Sequence, residues 1–194
     1  SASIALVLGT LCAVALTRFR RFRGRTALGA MVSAPLVMPD VITGLSLLLL
    51  FVAMESLFGW PAGRGEVTII IAHSTFCMAY VTVVVQSRLS DLDLSLEEAA
   101  QDLGAIPVRV FFDITLPIIA PALLSSWLLS FTLSLDDLVI ASFVSGPGSS
   151  TLPMVIFSKI KLGVSPDVNA LATIIIGVVA LGVAIAAVLQ SRRR

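Results

Sequence analysis

Carboxylates that interrupt an apolar stretch are the residues in this sequence best suited to binding chemistry. Asp136 and Asp137 interrupt the apolar stretch Ile114–Val144. The serines that precede Asp137 at spacings of three or four residues are Ser126, Ser130 and Ser134. Such spacings place residues on one face of a helix, so the sequence predicts a polar stripe that ends in a carboxylate. Because ionisable groups within apolar segments are usually paired or functional, this stripe is a candidate path for a cation.

A structural interpretation competes with that hypothesis. Serines on a helix face also let apolar helices pack closely, and aspartates near a helix end reach water at small cost. Asp40 is a further carboxylate in an apolar stretch, and it directly follows Pro39. Prolines free backbone carbonyls that can line a cavity, although Asp40 could also serve only to bond freed backbone groups. The lone histidine, His73, is expected to be packed or hydrogen-bonded rather than to be a ligand.

The composition indicates which elements must position these residues. Hydrophobic residues make up 57% of the 194 residues, charged residues make up 13%, and the mean hydropathy is +1.03. Soluble domains carry roughly 25% charged residues, so this chain lacks the charge to cover a water-facing surface and is expected in a lipid bilayer. The formal net charge of +1 gives no reason to expect nucleic acid as a partner.

Five apolar segments are long enough to cross a bilayer as helices, which requires about 20 mostly apolar residues. These segments are Ser1–Thr17, Thr26–Met54, Val67–Gln86, Ile114–Leu135 and Val168–Gln190. Cys12 and Cys77 both lie in these runs, which argues against a disulfide framework or a cysteine-rich metal site. The predicted fold is therefore an all-α integral membrane protein with five transmembrane helices visible.

Basic residues orient these segments, because cytoplasmic loops collect lysine and arginine. If the five segments alternate, ten arginines lie on one side, including five within Arg18–Arg25 and three at the C-terminus. The other side keeps three basic residues: Arg64, Lys159 and Lys161. We therefore predict a cytoplasmic C-terminus and an external Ser1. An external N-terminus without a signal peptide leads us to expect that a preceding span is missing.

The loop between the third and fourth segments carries the most specific signal. Ser95 and Glu98 form a capping-box pattern, which predicts a short helix that begins at Ser95. Gly104 suits the end of that helix, and Pro107 suits the first turn of a second one. Between Arg88 and Asp113 the loop carries six acidic residues and two arginines, a net charge of −4, which is unusual for a cytoplasmic loop. The spacing alone leaves open a helix that docks into another protein and a solvated connector.

The same loop resembles the EAA loop of binding-protein-dependent ABC-transporter permeases. The matching run is Glu98-Ala99-Ala100, then Gly104, then Ile114-Thr115-Leu116-Pro117 after nine further residues. Residues 34–44 and 134–148 resemble the polyamine branch of that family and are closest to its putrescine-transport permeases. The resemblance covers essentially the whole chain. It implies a single permease transmembrane domain over residues 1–194, with six spans in the intact subunit and the coupling loop at 87–117.

The resemblance also implies partners. The coupling helix would sit in a cleft of an ATP-binding subunit, and the coupling positions are Glu98, Ala99, Ala100, Leu103 and Gly104. A second homologous permease subunit and a periplasmic polyamine-binding protein would complete the importer in the bacterial inner membrane. A P-loop needs a lysine directly after a glycine, whereas Lys159 follows Ser158 and Lys161 follows Ile160. We therefore expect no cofactor and no catalysis in this chain, with ATP and Mg²⁺ bound by the partner.

The predicted function is the permease subunit of an ATP-driven polyamine importer that works by alternating access. Putrescine is the first expected substrate and spermidine the second, since carboxylates and small hydroxyls suit their amines. The candidate pathway residues are Asp136, Asp137, Ser134, Ser130 and Asp40. The alternatives are an ABC permease for another small solute and an ion-coupled secondary transporter or channel, which would need no ATPase. An intramembrane enzyme is disfavoured, because one histidine and no nucleophile–base constellation leave little chemistry.

Overall fold

The computed structural model describes residues 1–19, 22–162 and 166–191, and the regular elements in that part of the chain are all helical. They fall into two compact units, Ser1–Ser150 and Thr151–Arg194. The helices of the first unit are α1 (Ala2–Arg18), α2 (Arg25–Val37), α3 (Asp40–Phe58), α4 (Glu66–Ser90), α5 (Leu94–Asp102), α6 (Pro107–Val110), α7 (Leu116–Asp136) and α8 (Val139–Val144). A π-helical turn (Phe111–Thr115) joins α6 to α7. The second unit contains α9 (Leu152–Leu162) and α10 (Pro166–Ser191).

Helix α4 forms the centre of the first unit, where it packs against α1 on one side and α7 on another. Its buried side chains form the core together with residues of α1, α3, α7 and α8, and they include Ala72, Phe76, Cys77, Val81, Val85 and Leu89. Glycine allows α1 to approach closely: a Cβ on Gly9 would lie 2.7 Å from Cβ of Val81. Helices in lipid gain no hydrophobic free energy by associating, so they depend on close van der Waals packing, which small residues such as Gly9 allow.

Within the described part of the chain, three helical segments are long and apolar enough to cross a membrane by length and composition. They are Asp40–Phe58, Glu66–Ser90 and Pro107–Asp136, the last of which combines α6, the π-helical turn and α7. They include the predicted segments Val67–Gln86 and Ile114–Leu135. Many of their large apolar side chains face outward, such as Leu49, which is 60% exposed, as expected for helices that meet lipid.

The predicted segment Thr26–Met54 differs from expectation, because it forms two helices instead of one. α2 ends at Val37, Met38 is extended with ψ 137°, and α3 begins at Asp40. Pro39 stands at the break. Its ring disfavours a helical conformation for the preceding residue, and its nitrogen has no hydrogen to donate to the preceding turn. Pro39, which directly precedes Asp40 in the sequence, therefore separates two helices.

Candidate functional site

The predicted coupling helix is present as α5, but its first residue and its cap differ from the prediction. α5 begins at Leu94, and the carboxylate of Asp93 accepts a hydrogen bond from the backbone N–H of Ser95 at 3.0 Å. The capping box at Ser95 and Glu98 is therefore wrong. Aspartate is as good an N-cap as serine, and its charge is stabilised by the helix dipole. The bond from Ser95 holds the pKa of the Asp93 carboxyl below its usual value, because it favours the ionised form.

The predicted end of this helix and the start of the next are confirmed. Gly104 has φ +89°, a left-handed conformation that favours glycine. Its N–H donates to the carbonyl of Gln101 at 2.8 Å, which satisfies one of the last carbonyls of α5. Pro107 is the first residue of α6, where its missing N–H is not needed. The connection between the two short helices is therefore only Leu103–Ile106.

The loop presents large apolar side chains to its surroundings. Leu103 is 91% exposed, and Ile106 and Val108 are also exposed. Of the remaining predicted coupling residues, Glu98, Ala99 and Gly104 are exposed and Ala100 is half-buried. Exposed apolar side chains grouped together are typical of an interaction surface, so the geometry favours docking over a solvated connector.

Glu97, which no sequence motif marks, joins α5 to the rest of the unit through two side-chain hydrogen bonds. Its Oε1 accepts a hydrogen bond from Nη2 of Arg18 at 2.5 Å and from Oγ1 of Thr115 at 2.7 Å. Arg18 is the last residue of α1, and Thr115 ends the π-helical turn. No local pattern could have found this cluster, because Arg18 and Glu97 are 79 residues apart in sequence.

The predicted polar stripe of α7 faces α4 inside the unit. Ser126 and Ser130 are buried. The Sγ of Cys77 in α4 donates to the backbone carbonyl of Ser130 at 3.5 Å. Ser134 lies one turn further along, with its Oγ 2.8 Å from Nδ1 of His73. The serines thus share one face as predicted, and that face packs against a neighbouring helix of the same chain.

The ring of His73, which contacts Ser134, also contacts Asp137. The distance between Nε2 of His73 and Oδ2 of Asp137 is 3.1 Å. Because an ionised carboxylate can only accept, Nε2–H donates to it, and in neutral imidazole Nδ1 then accepts from the Ser134 hydroxyl. The expectation that His73 is a hydrogen-bonded group is confirmed.

The carboxylate of Asp137 also joins α7 to α8. Its oxygens accept hydrogen bonds from the backbone N–H of Ile140 at 3.2 Å and of Ala141 at 2.7 Å. These N–H groups belong to the first turn of α8, where intrahelical partners are lacking. Asp137 therefore satisfies backbone N–H groups at the start of α8, directly after α7 ends at Asp136.

The other two candidate carboxylates are exposed and are not part of that cluster. Asp136 is the last residue of α7, and Asp40 is the first residue of α3. Gly44, one turn after Asp40, lies against Ile140 and Phe143, so the start of α3 lies beside α8. Asp40, Asp136, Asp137, Ser130 and Ser134 remain predicted pathway residues. Among the described residues, no group of three or more His, Cys, Asp or Glu side chains is arranged to hold a metal ion.

Comparison with known proteins extends the resemblance seen in the loop. The putrescine transport system permease protein PotI of Escherichia coli (strain K12) is 65% identical over 181 residues, which cover 93% of this chain and 64% of that protein. The spermidine/putrescine transport system permease protein PotC of Haemophilus influenzae is 47% identical over 91% of this chain and 66% of its own length. PotC of Escherichia coli (strain K12) is 44% identical over 99% of this chain and 70% of its own length.

The chain thus spans about two thirds of the length of these relatives. The model of the family described as the inner membrane component of binding-protein-dependent transport systems matches residues 5–194. Relatives that are inner membrane permeases and apolar helices of spanning length together indicate a multi-pass membrane protein. The chain belongs to the family of binding-protein-dependent transport system inner membrane components.

Proposed function

We propose that this chain is the permease subunit of an ATP-driven polyamine importer, with putrescine as its first substrate and spermidine as its second. The observation that carries the proposal is that α5 exposes Glu98 and Ala99 of the EAA run and is followed directly by the exposed Leu103. The substrate class is supported by 65% identity to a protein described as a putrescine transport system permease. The PotC proteins, described as spermidine/putrescine permeases, support the second substrate.

The proposed coupling passes through Glu98, Ala99, Ala100, Leu103 and Gly104. These residues would dock into an ATP-binding subunit that holds ATP and Mg²⁺, so this chain would transport without catalysing hydrolysis. A second permease subunit and a periplasmic polyamine-binding protein would complete the assembly. The two states of the transporter must differ in their affinity for these partners, because only differential binding can drive alternating access.

The proposed membrane arrangement is one permease domain over residues 1–194 with five spans and a cytoplasmic C-terminus. The spans would be α1, α2 together with α3, α4, α7 and α10. A broken helix such as α2–α3 suits a transport protein, because interrupted spans commonly lie next to the substrate path. The distribution of ten basic residues against three supports the orientation.

The proposed path for the cation is bordered by the exposed carboxylates Asp136 and Asp40. Asp137, Ser130 and Ser134 would form the wall behind them, where the charge of Asp137 still acts on a bound amine. Carboxylates attract a multiply protonated amine through the opposite charges.

The test is labelled-putrescine uptake by the complete transporter, with the full-length permease, in vesicles supplied with ATP and the binding protein. Asp136→Asn is expected to lower uptake while ATP hydrolysis persists, because only the cation path is changed. Glu98→Ala is expected to lower both activities, because docking of the ATP-binding subunit is weakened. Uptake of another solute but not of putrescine would contradict the substrate, and uptake without ATP would favour an ion-coupled transporter.

A further inference from the structure

Helix α5 is attached to the rest of its unit mainly through polar contacts. Each of its nine residues, all within the described part of the chain, is exposed or half-buried. Short connections lead to α4 and α6, and α5 packs only slightly against its neighbours. A helix held in this way would move independently of the longer helices unless a strong contact joined it to them. Glu97 makes such a contact.

The Glu97 contacts are well shielded from water. The side chains of Arg18 and Glu97 are 20% and 14% exposed, and Thr115 is buried. They border a cavity of about 470 Å³ whose other lining side chains are apolar, such as Val14, Leu89 and Phe111, except for Gln101. Ion pairs in such surroundings are screened less by salt than surface pairs, and hydrogen bonds between charged groups are the strongest in proteins. Arg18 is further stabilised by its place at the C-terminus of α1.

The same carboxylate reaches two helices that run into the body of the unit. Through Arg18 it holds α1, which packs closely on α4. Through Thr115 it holds the last residue of the π-helical turn, from which α7 leads directly to Asp136. π-helical turns are rare and frequently occur at functional sites. Glu97 is therefore the point at which α5, α1 and α7 meet.

We propose that Glu97 is a positioning residue that transmits movement of α5 to α1 and α7, while Glu98 beside it faces the docking partner. This inference rests on the proposed function, because it presupposes that an ATP-binding subunit moves α5. Glu97 would then be needed for coupling between hydrolysis and transport, and not for docking. Loss of its charge would let α5 follow the ATP-binding subunit without moving the two long helices.

The loop provides a matched control. Asp113 also pairs with an arginine, Arg109, at 3.0 Å, but the two side chains are 61% and 75% exposed and only four residues apart. Such an exposed local pair contributes little, and it does not join α5 to another helix. Asp113→Asn therefore removes a carboxylate and an ion pair from the same loop without breaking the Glu97 cluster.

The experiment uses the complete transporter, with the full-length permease, in vesicles. For Glu97→Gln, Arg18→Gln and Asp113→Asn, three quantities are measured: retention of the ATP-binding subunit, ATP hydrolysis and putrescine uptake. Glu97→Gln and Arg18→Gln are expected to keep the subunit and hydrolysis while uptake falls about tenfold, since coupling energies typically correspond to effects of roughly 5–150-fold. Asp113→Asn is expected to match the wild type. The reversed pair Arg18→Glu/Glu97→Arg is expected to recover part of the uptake, because it restores the ion pair while placing a less favourable carboxylate at the C-terminus of α1. A purely local packing role would not be restored by exchanging the charges.

Three results would overturn the inference. The first is uptake at the wild-type level in Glu97→Gln. The second is loss of the ATP-binding subunit from Glu97→Gln, which would make Glu97 a docking residue. The third is a reversed pair as impaired as the single variants. Failure of the proposed function looks different, because wild-type permease itself would then retain no ATP-binding subunit or take up no putrescine, and the inference would fall with it.

Discussion

At the scale of single residues, the cluster of His73, Ser134 and Asp137 shows how one carboxylate can satisfy several buried donors. Asp137 accepts from the imidazole of His73 and from two backbone N–H groups of α8. The Ser134 hydroxyl in turn contacts the other ring nitrogen. If Asp137 also contacts the substrate, it must do so while it keeps these hydrogen bonds. Replacing His73 measures how much the hydrogen bonds contribute to the stability of the protein without altering the carboxylate.

We predict that His73→Leu destabilises the permease by about 2 kcal/mol, the usual contribution of a buried hydrogen bond to a charged group. The midpoint of thermal unfolding of the purified protein would then fall by roughly 4–8 °C for a chain of this size. Thr75→Val is the control, because Thr75 is exposed on the same helix and its hydroxyl bonds only the carbonyl of Ile71. Equal midpoints for the two variants would show that the imidazole contributes nothing to stability.

At the scale of elements, the interface of α1 with α4 depends on the absence of a side chain at Gly9. A Cβ there would lie 2.7 Å from both Cβ and Cγ1 of Val81, and 3.0 Å from the carbonyl oxygen of Met78. The backbone carbonyl of Gly9 also accepts a hydrogen bond from Thr82 at 3.3 Å. The backbones of α1 and α4 therefore approach each other closely at Gly9. The last residue of α1, Arg18, contacts Glu97.

We predict that Gly9→Ala destabilises the permease by about 1–3 kcal/mol, the usual cost of adding a methyl group to a filled interface. The matched control is Gly29→Ala in α2, where a new Cβ meets open space. That variant is expected to be neutral or stabilising by about 0.5–1 kcal/mol, because alanine favours the helix over glycine. Thermal unfolding of both purified variants distinguishes them, and a loss in Gly29→Ala as large as in Gly9→Ala would contradict the packing argument.

At the scale of the whole molecule, the exposed apolar residues of the loop 87–117 would act in the proposed assembly with an ATP-binding subunit. Leu103 is 91% exposed, so its side chain contributes little to the folding of this chain. An apolar residue in such a position gains by being buried against a partner, and a small number of such residues usually carries most of the binding energy. Its contribution should therefore appear in subunit association and not in the stability of the isolated permease.

We predict that Leu103→Asp weakens retention of the ATP-binding subunit by at least about tenfold, which corresponds to about 1.4 kcal/mol. The thermal midpoint of the permease alone should stay unchanged. Leu57→Asp is the control, because Leu57 is 75% exposed but lies near the end of α3. Co-purification of the subunit with each variant is the measurement. Equal retention of the ATP-binding subunit by the two variants would show that Leu103 does not contribute to docking.

Some features were predictable because they depend on neighbours in sequence. The positions of α4 and α7 follow from continuous apolar runs, although α4 continues to Ser90, four residues beyond its run. The positions of Gly104 and Pro107 follow from backbone conformations that these residues favour. The cap of α5 was mispredicted, because Asp93 and Ser95 are both competent caps two residues apart and local pattern does not rank them. Pro39 is visible in the sequence, but the apolar run that continues across it does not reveal that one helix ends there and another begins.

The sequence by itself determined the class of the protein, its apolar helices and the EAA loop, because apolar content and motif spacing are properties of short stretches of chain. Only the tertiary structure decided that the serines of α7 face α4, that Asp137 joins His73 and α8, and that Glu97 ties α5 to Arg18 and Thr115. These contacts join residues far apart in the chain. They depend on how the helices rotate and approach one another, and that is set by packing of the whole core.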